Sequence, residues 1–207
     1  MESLLTFAEE LERRDADLAR ALTAVERRYH DVEEVRTAGA AVAAFLDHLP
    51  TELAQREKEE RSAAAEQEHA TAVLGDVKPD DQLGLANAHA AFRAAAERYD
   101  RARDASEQLE QEAEHRREEE AGLATRAAGL APDVHGVPPP EPGIAGTLEW
   151  ASRARGALLV ERSGLTVERE TIVREASELV ASVLGDAHAA VGAEGLRERL
   201  ARLRPTL

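Results

Sequence analysis

The sequence predicts an all-α protein, a long antiparallel coiled-coil hairpin with a small helical bundle at its base. Three observations carry that prediction. From Leu85 to Leu130 seam residues, most of them apolar or small, follow one another at alternating spacings of three and four, a heptad register without a skip. A second periodic stretch lies just upstream and can serve as its partner. Finally, hydrophobic residues are 43% of the 207, yet aromatic residues are only 3%. Much of that apolar fraction is alanine, which suits closely packed helices and supplies little volume for a thick core.

The first helix is marked by Leu4, Ala8, Leu11, Leu18, Leu22, Val25, Tyr29 and Val32, with Asp15 on the same seam. After Val32 an extra step of three shifts the register, which resumes through Val35, Gly39, Val42, Leu46, Leu49, Leu53, Arg56, Glu60, Ala63, Gln67, Ala70 and Leu74. Such a skip overwinds a coiled coil locally or marks a change of packing partner. Pro50 lacks a backbone donor and clashes with the preceding turn. Because Leu46, Leu49 and Leu53 keep their phase across it, the expectation is a kink within one continuing arm.

Gly75-Asp76-Val77-Lys78-Pro79-Asp80-Asp81 is a break of another kind. A glycine fit to cap a helix, a proline and helix-starting acids stand together, and Gly84 just beyond is expected to fray the next turn. Short connections between long helices make antiparallel neighbours. The tip is therefore placed at 75–84 and the hairpin at 27–130. Residues whose numbers add to about 158 then face one another, Leu49 near Leu109 and Leu53 near Ala105. The second helix follows Leu85, Ala88, Phe92, Ala95, Tyr99, Ala102, Ser106, Leu109, Ala113, Arg116, Glu120, Leu123, Ala127 and Leu130, about 68 Å at helical rise.

Residues 131–147 form a proline-rich linker, since Pro132, Pro138, Pro139, Pro140 and Pro142 stop a helix and favour extended backbone. Helical patterns return with Leu148, Trp150, Ala154, Ala157 and Leu158, before an expected break at Ser163-Gly164. Thr166 is a candidate N-cap for a second segment carrying Ile172, Val173, Ala176, Leu179, Val180, Val183 and Leu184. Gly185 and Asp186 mark the next boundary, and Val191, Leu196, Leu200 and Leu203 form a last stripe. Three short helices, 148–207, together with 1–26, make the expected base.

Charge narrows the function. The formal net charge is −15, from 41 acidic and 26 basic residues, and no basic patch is concentrated enough to meet duplex phosphate. Direct nucleic-acid binding is not expected. Without cysteine there are no disulfides or thiolate zinc sites, and a cytoplasmic place is allowed. No secretory leader is expected from the acidic, amphipathic start, and the most apolar run, Ala38 to Leu46, is too short to span a bilayer. The protein reads as soluble, without membrane contact.

Motifs that carry chemistry are weak. Glu66 with His69, and Glu112 with His115, share the i, i+3 spacing of carboxylate-bridged di-metal bundles. The hairpin register sets the two pairs far apart, so solvated side chains are the simpler reading. His69 and His89 fall on one level, where they could share a metal or titrate together. Gly143-Ile144-Ala145-Gly146-Thr147 lacks the spacing and lysine of a phosphate loop, and no nucleophile turn is recognisable. No catalytic, cofactor or metal residue is assigned. Trp150, the single tryptophan, is read as core packing beside the linker, with a base interface as its alternative role.

The expected function is therefore associative: a non-enzymatic scaffold or protein-interaction subunit whose stiff hairpin holds out a docking tip. Asp76, Lys78, Asp80 and Asp81 are the candidate contact residues and Pro79 holds the turn. The expected partner is a protein, with a homodimer as one form of that partnership. In outline the periodic hairpin is similar to a coiled-coil arm or accessory subunit of SMC-like chromosome-maintenance ATPases. The likeness covers the periodicity alone and implies that ATP is bound elsewhere. Two other readings are a secreted or phage-associated helical interaction protein and a di-metal helical enzyme. For the former, the tryptophan turn of the small WXG family is missing, since Trp150-Ala151-Ser152 lies outside the hairpin.

Overall fold

A computed structural model describes residues 2–184. Among them are three α-helices, α1 (Glu2–Asp76), α2 (Gln82–Leu130) and α3 (Gly143–Leu184), one 3-10 turn (Ala131–Asp133) and no strand. The all-α class and the helical hairpin are as the periodicity predicts. The boundary at Gly185-Asp186 and the stripe of Val191, Leu196, Leu200 and Leu203 lie outside the described residues.

The described residues form two compact units, 37–125 with 142–145, and 2–36 with 126–141 and 146–184. In the first, α1 and α2 pair antiparallel. Leu49 and Leu109 share a buried cluster with Ala113, against which Phe45, Leu46 and Leu53 pack, on the level the register sets. Pro50 lies inside an unbroken α1. Toward the tip the buried positions are all alanine: Ala63, Ala70, Ala88 and Ala95. Alanine brings two helices close together, but each buried methyl contributes little transfer free energy.

In the second unit, the first half of α1 is the central strut. Ala8, Leu11 and Leu18 cluster with Ile172, Ala176, Leu179 and Val180 of α3. Further along, Val25, Val32 and Val35 cluster with Ala127 of α2 and with Trp150, Ala151, Ala154 and Leu158 of α3. Among the described residues, one helix covers the first stretch and two cover the second. Val32 and Val35, on either side of the skipped step, share one cluster, so the step does not coincide with the change of covering helices, which falls between Leu18 and Val25.

Ion pairs fix the direction of α3. Asp15 meets Arg169 at 2.9 Å, Arg28 meets Glu161 at 3.0 Å and Glu33 meets Arg155 at 3.1 Å. Positions on α3 fall as those on α1 rise, so the two helices are antiparallel.

Two local expectations for α3 are corrected. Ser163-Gly164 does not end a helix, because α3 runs through it from Gly143 to Leu184. Ala151, Leu158, Leu165, Ile172 and Leu179 continue one seven-residue seam across that dipeptide, all buried or packed on the core. Keeping that seam outweighs the roughly 1 kcal/mol that glycine costs within a helix. Thr166 is correspondingly no N-cap: its hydroxyl donates to the Arg162 carbonyl one turn back, at 2.9 Å.

The connection into α3 is partly core. Val134 is buried, Val137 packs beside it, and Gly136 takes φ +77°. Gly143 opens α3 at φ +88°. The carboxylate of Glu120 then accepts the Ile144 backbone N–H at 2.9 Å, satisfying one of the free donors of the helix start.

Candidate functional site

The tip is built from α1 outward. Gly75 was the expected glycine cap, but it lies within α1, and only Gly136 and Gly143 have positive φ among the described residues. The reversal is made instead by Lys78-Pro79-Asp80-Asp81, where the Asp81 N–H donates to the Lys78 carbonyl at 3.1 Å. Proline stands at the second position of that turn, where its fixed φ is favourable.

Asp81 then starts α2. Its Oδ1 accepts the Gly84 N–H at 2.8 Å, and its carbonyl accepts the Leu85 N–H at 2.9 Å. This is an N-cap, satisfying a helix donor that would otherwise be bare. A Cβ on Gly84 would fall 2.3 Å from Asp81 Oδ2. Gly84 does not fray the turn; its missing side chain makes room for the capping carboxylate.

Asp76, Lys78, Pro79, Asp80 and Asp81 are all exposed, and no ion pair engages the four charged residues among the described residues. Beside them stand two apolar side chains, Leu83 at 74% exposure and Val73 at 41%. Sequence reasoning missed both. The signal was present, because each falls outside the Leu74 and Leu85 seam positions and so turns away from the partner helix.

The remaining candidates are dispersed. Glu66 pairs with Arg98 across the hairpin at 2.6 Å, and Glu112 approaches Arg116 on its own helix at 3.5 Å. Both glutamates of the apparent metal motifs are thus engaged by arginine. His69 and His89 are exposed. No group of three or more histidine, cysteine or acidic residues is placed to hold a metal among the described residues. Nor is any described helix long and apolar enough to cross a membrane.

Trp150 is 2% exposed within the cluster of Val25, Val32, Val35 and Ala127. Its ring is spent on packing inside its own unit. The indole Nε1–H is buried without an acceptor among the described residues.

A network that periodicity did not disclose surrounds the middle of this unit. Arg28 donates to the Asp133 carbonyl at 2.6 Å and to Glu161 at 3.0 Å. Arg126 reaches Glu34 at 2.6 Å and Asp31 at 3.3 Å. Arg155 lies over the Tyr29 ring, 5.8 Å from its centroid, and contacts Glu33. Hydrogen bonding to Arg36 is the main cause that lowers the Glu33 pKa, with the charges of Arg36 and Arg155 adding to it and partial desolvation opposing. These contacts tie helices together and converge on no cleft.

No protein-family model, curated protein or solved structure matches the chain.

Proposed function

We propose that this protein is a non-enzymatic interaction subunit that docks another protein through the tip of its hairpin. The observation that supports this reading is the tip itself. Leu83 and Val73 stand open to solvent beside a turn bearing Asp76, Lys78, Asp80 and Asp81. Large apolar side chains at the centre of a polar rim are the usual makeup of a contact surface. Three acids against one lysine favour a shallow apolar socket with basic residues around it, where unlike charges guide the approach. The cytoplasmic place and the part in a larger SMC-like assembly belong to the same proposal.

A photo-crosslinking residue at Leu83 tests it, compared with the same residue at Arg101, which is exposed on α2. The expected result is one discrete protein adduct from position 83 and none from position 101. Equal labelling from both positions, or none from either, would set the docking role of the tip aside.

A further inference from the structure

The arm is not equally supported along its length. Leu49 and Ala63 are buried on α1, but no residue from Pro50 to Ser62 is. On α2, Ala95 and Ser106 are buried, and nothing between them is. By the hairpin register these two gaps face each other. Where they overlap they leave roughly 15 Å of paired helix without a fully buried side chain, at 1.5 Å per residue.

Polar contacts do not bridge the gap from the α1 side. Gln55 and Arg56 both bond Glu59, and Arg61 bonds Glu57, all along one helix. Arg56 was expected on the seam; it is exposed and paired with Glu59 on its own helix. A groove beside this stretch is lined by α1 residues alone, from Thr51 to Glu59. At its edge Pro50 lacks the N–H that would bond the carbonyl four residues earlier. From the tip-side end of the α2 gap, Arg98 reaches beyond Ala63 to Glu66 at 2.6 Å, an exposed pair that links the helices at the edge of the stretch.

We propose that this stretch is a joint: the arm opens and bends between its Leu49–Leu109 layer and its Ala63–Ala95 layer, while the helices on either side stay paired. Most helical stability in proteins comes from burial of an apolar face, and here that face is thin: Leu53, Tyr99, Ala102 and Ala105 are half-buried and no side chain is fully buried on either helix. The missing proline donor lowers the cost of bending at the same place. A joint lets a contact at the tip be made over a range of angles without unfolding the layers on either side. It rests on packing alone and stands whether or not the tip docks a protein.

Hydrogen exchange on the intact chain tests this directly. Amides of 51–62 and 96–105 are expected to exchange at least tenfold faster than those of 40–49 and 109–121, and also faster than 63–72. A local maximum in mid-arm identifies a joint. Protection that declines steadily toward the tip, or is uniform, would overturn it.

A second measurement is independent of exchange. The chain has no cysteine, so spin labels can be placed on His48→Cys and His69→Cys, one on each side of the gap. Their distance distribution is expected to be broad, and to narrow when Arg56→Leu and Glu60→Leu supply the missing seam. An equally narrow distribution before and after would also overturn the joint.

Discussion

Arg28 and Glu161, 133 positions apart in the chain, meet at 3.0 Å across the helical base. The same guanidinium donates to the Asp133 carbonyl at 2.6 Å, so one side chain joins α1, the turn after α2, and α3. It is 22% exposed and its partner 34%, enough shielding for the contact to count. Arg28→Ala is expected to lower unfolding free energy by about 1–2 kcal/mol, because it strands a partly shielded carboxylate and a carbonyl. Urea unfolding measures the loss. A double-mutant cycle with Glu161→Gln should give a coupling of about 0.5–1 kcal/mol; simple additivity would deny the link.

Glycine substitutions in α3 should have opposite signs. A Cβ on Gly146 would lie 2.3 Å from the Glu141 carbonyl oxygen, while one on Gly164 meets nothing within 4 Å. Gly146→Ala therefore forces the backbone apart and is expected to cost more than about 1 kcal/mol. Gly164→Ala should stabilise by about 0.5–1 kcal/mol, since alanine is the better helix former. Thermal unfolding of the two variants provides the comparison.

Those glycines also show what the sequence could reveal. The facing of Leu49 and Leu109 was legible because both helices repeat their seams over many turns and a short turn fixes their phase. The continuity of α3 was not, because Ser163-Gly164 reads locally as a break while the seam from Ala151 to Leu179 runs through it. At the tip, Pro79 and the acids were legible as a turn. Gly84 was misread, since its role depends on where the Asp81 carboxylate sits. Arginine clamps such as that of Arg28 follow from tertiary placement and leave no periodic trace.

Trp150 should behave as a core residue. Trp150→Ala is expected to cost about 3–5 kcal/mol, in the range of large-to-small core changes. Trp150→Phe keeps most of the volume and removes a buried N–H without an acceptor, so about 1 kcal/mol is expected. As this is the single tryptophan, intrinsic fluorescence should be blue-shifted when folded and move to the red on unfolding. A red emission in the native state would contradict its burial.

Glu33 confers a pH dependence of definite sign. Its folded pKa lies below the ordinary 4.5, chiefly through the Arg36 hydrogen bond. The unfolded chain therefore binds the proton more readily, and the stabilisation is present above the ordinary value and lost as pH falls through the folded value. Glu33→Gln should be less stable than the wild type near neutrality. The difference should shrink in acid. Denaturant midpoints across the acid range measure it, and a gap that widened in acid would reverse the assignment.

The pairing of α1 with α2 inside one chain underlies the arm, its tip and its joint. Leu49→Cys and Leu109→Cys, in a chain with no other cysteine, place two thiols in one buried cluster. A short thiol-to-thiol crosslinker at low protein concentration is the most direct test. The folded-back hairpin predicts a crosslinked product of monomer mass with altered mobility on a denaturing gel. A product of twice that mass, with no intramolecular link, would show that the two helices pair between chains and would contradict the account.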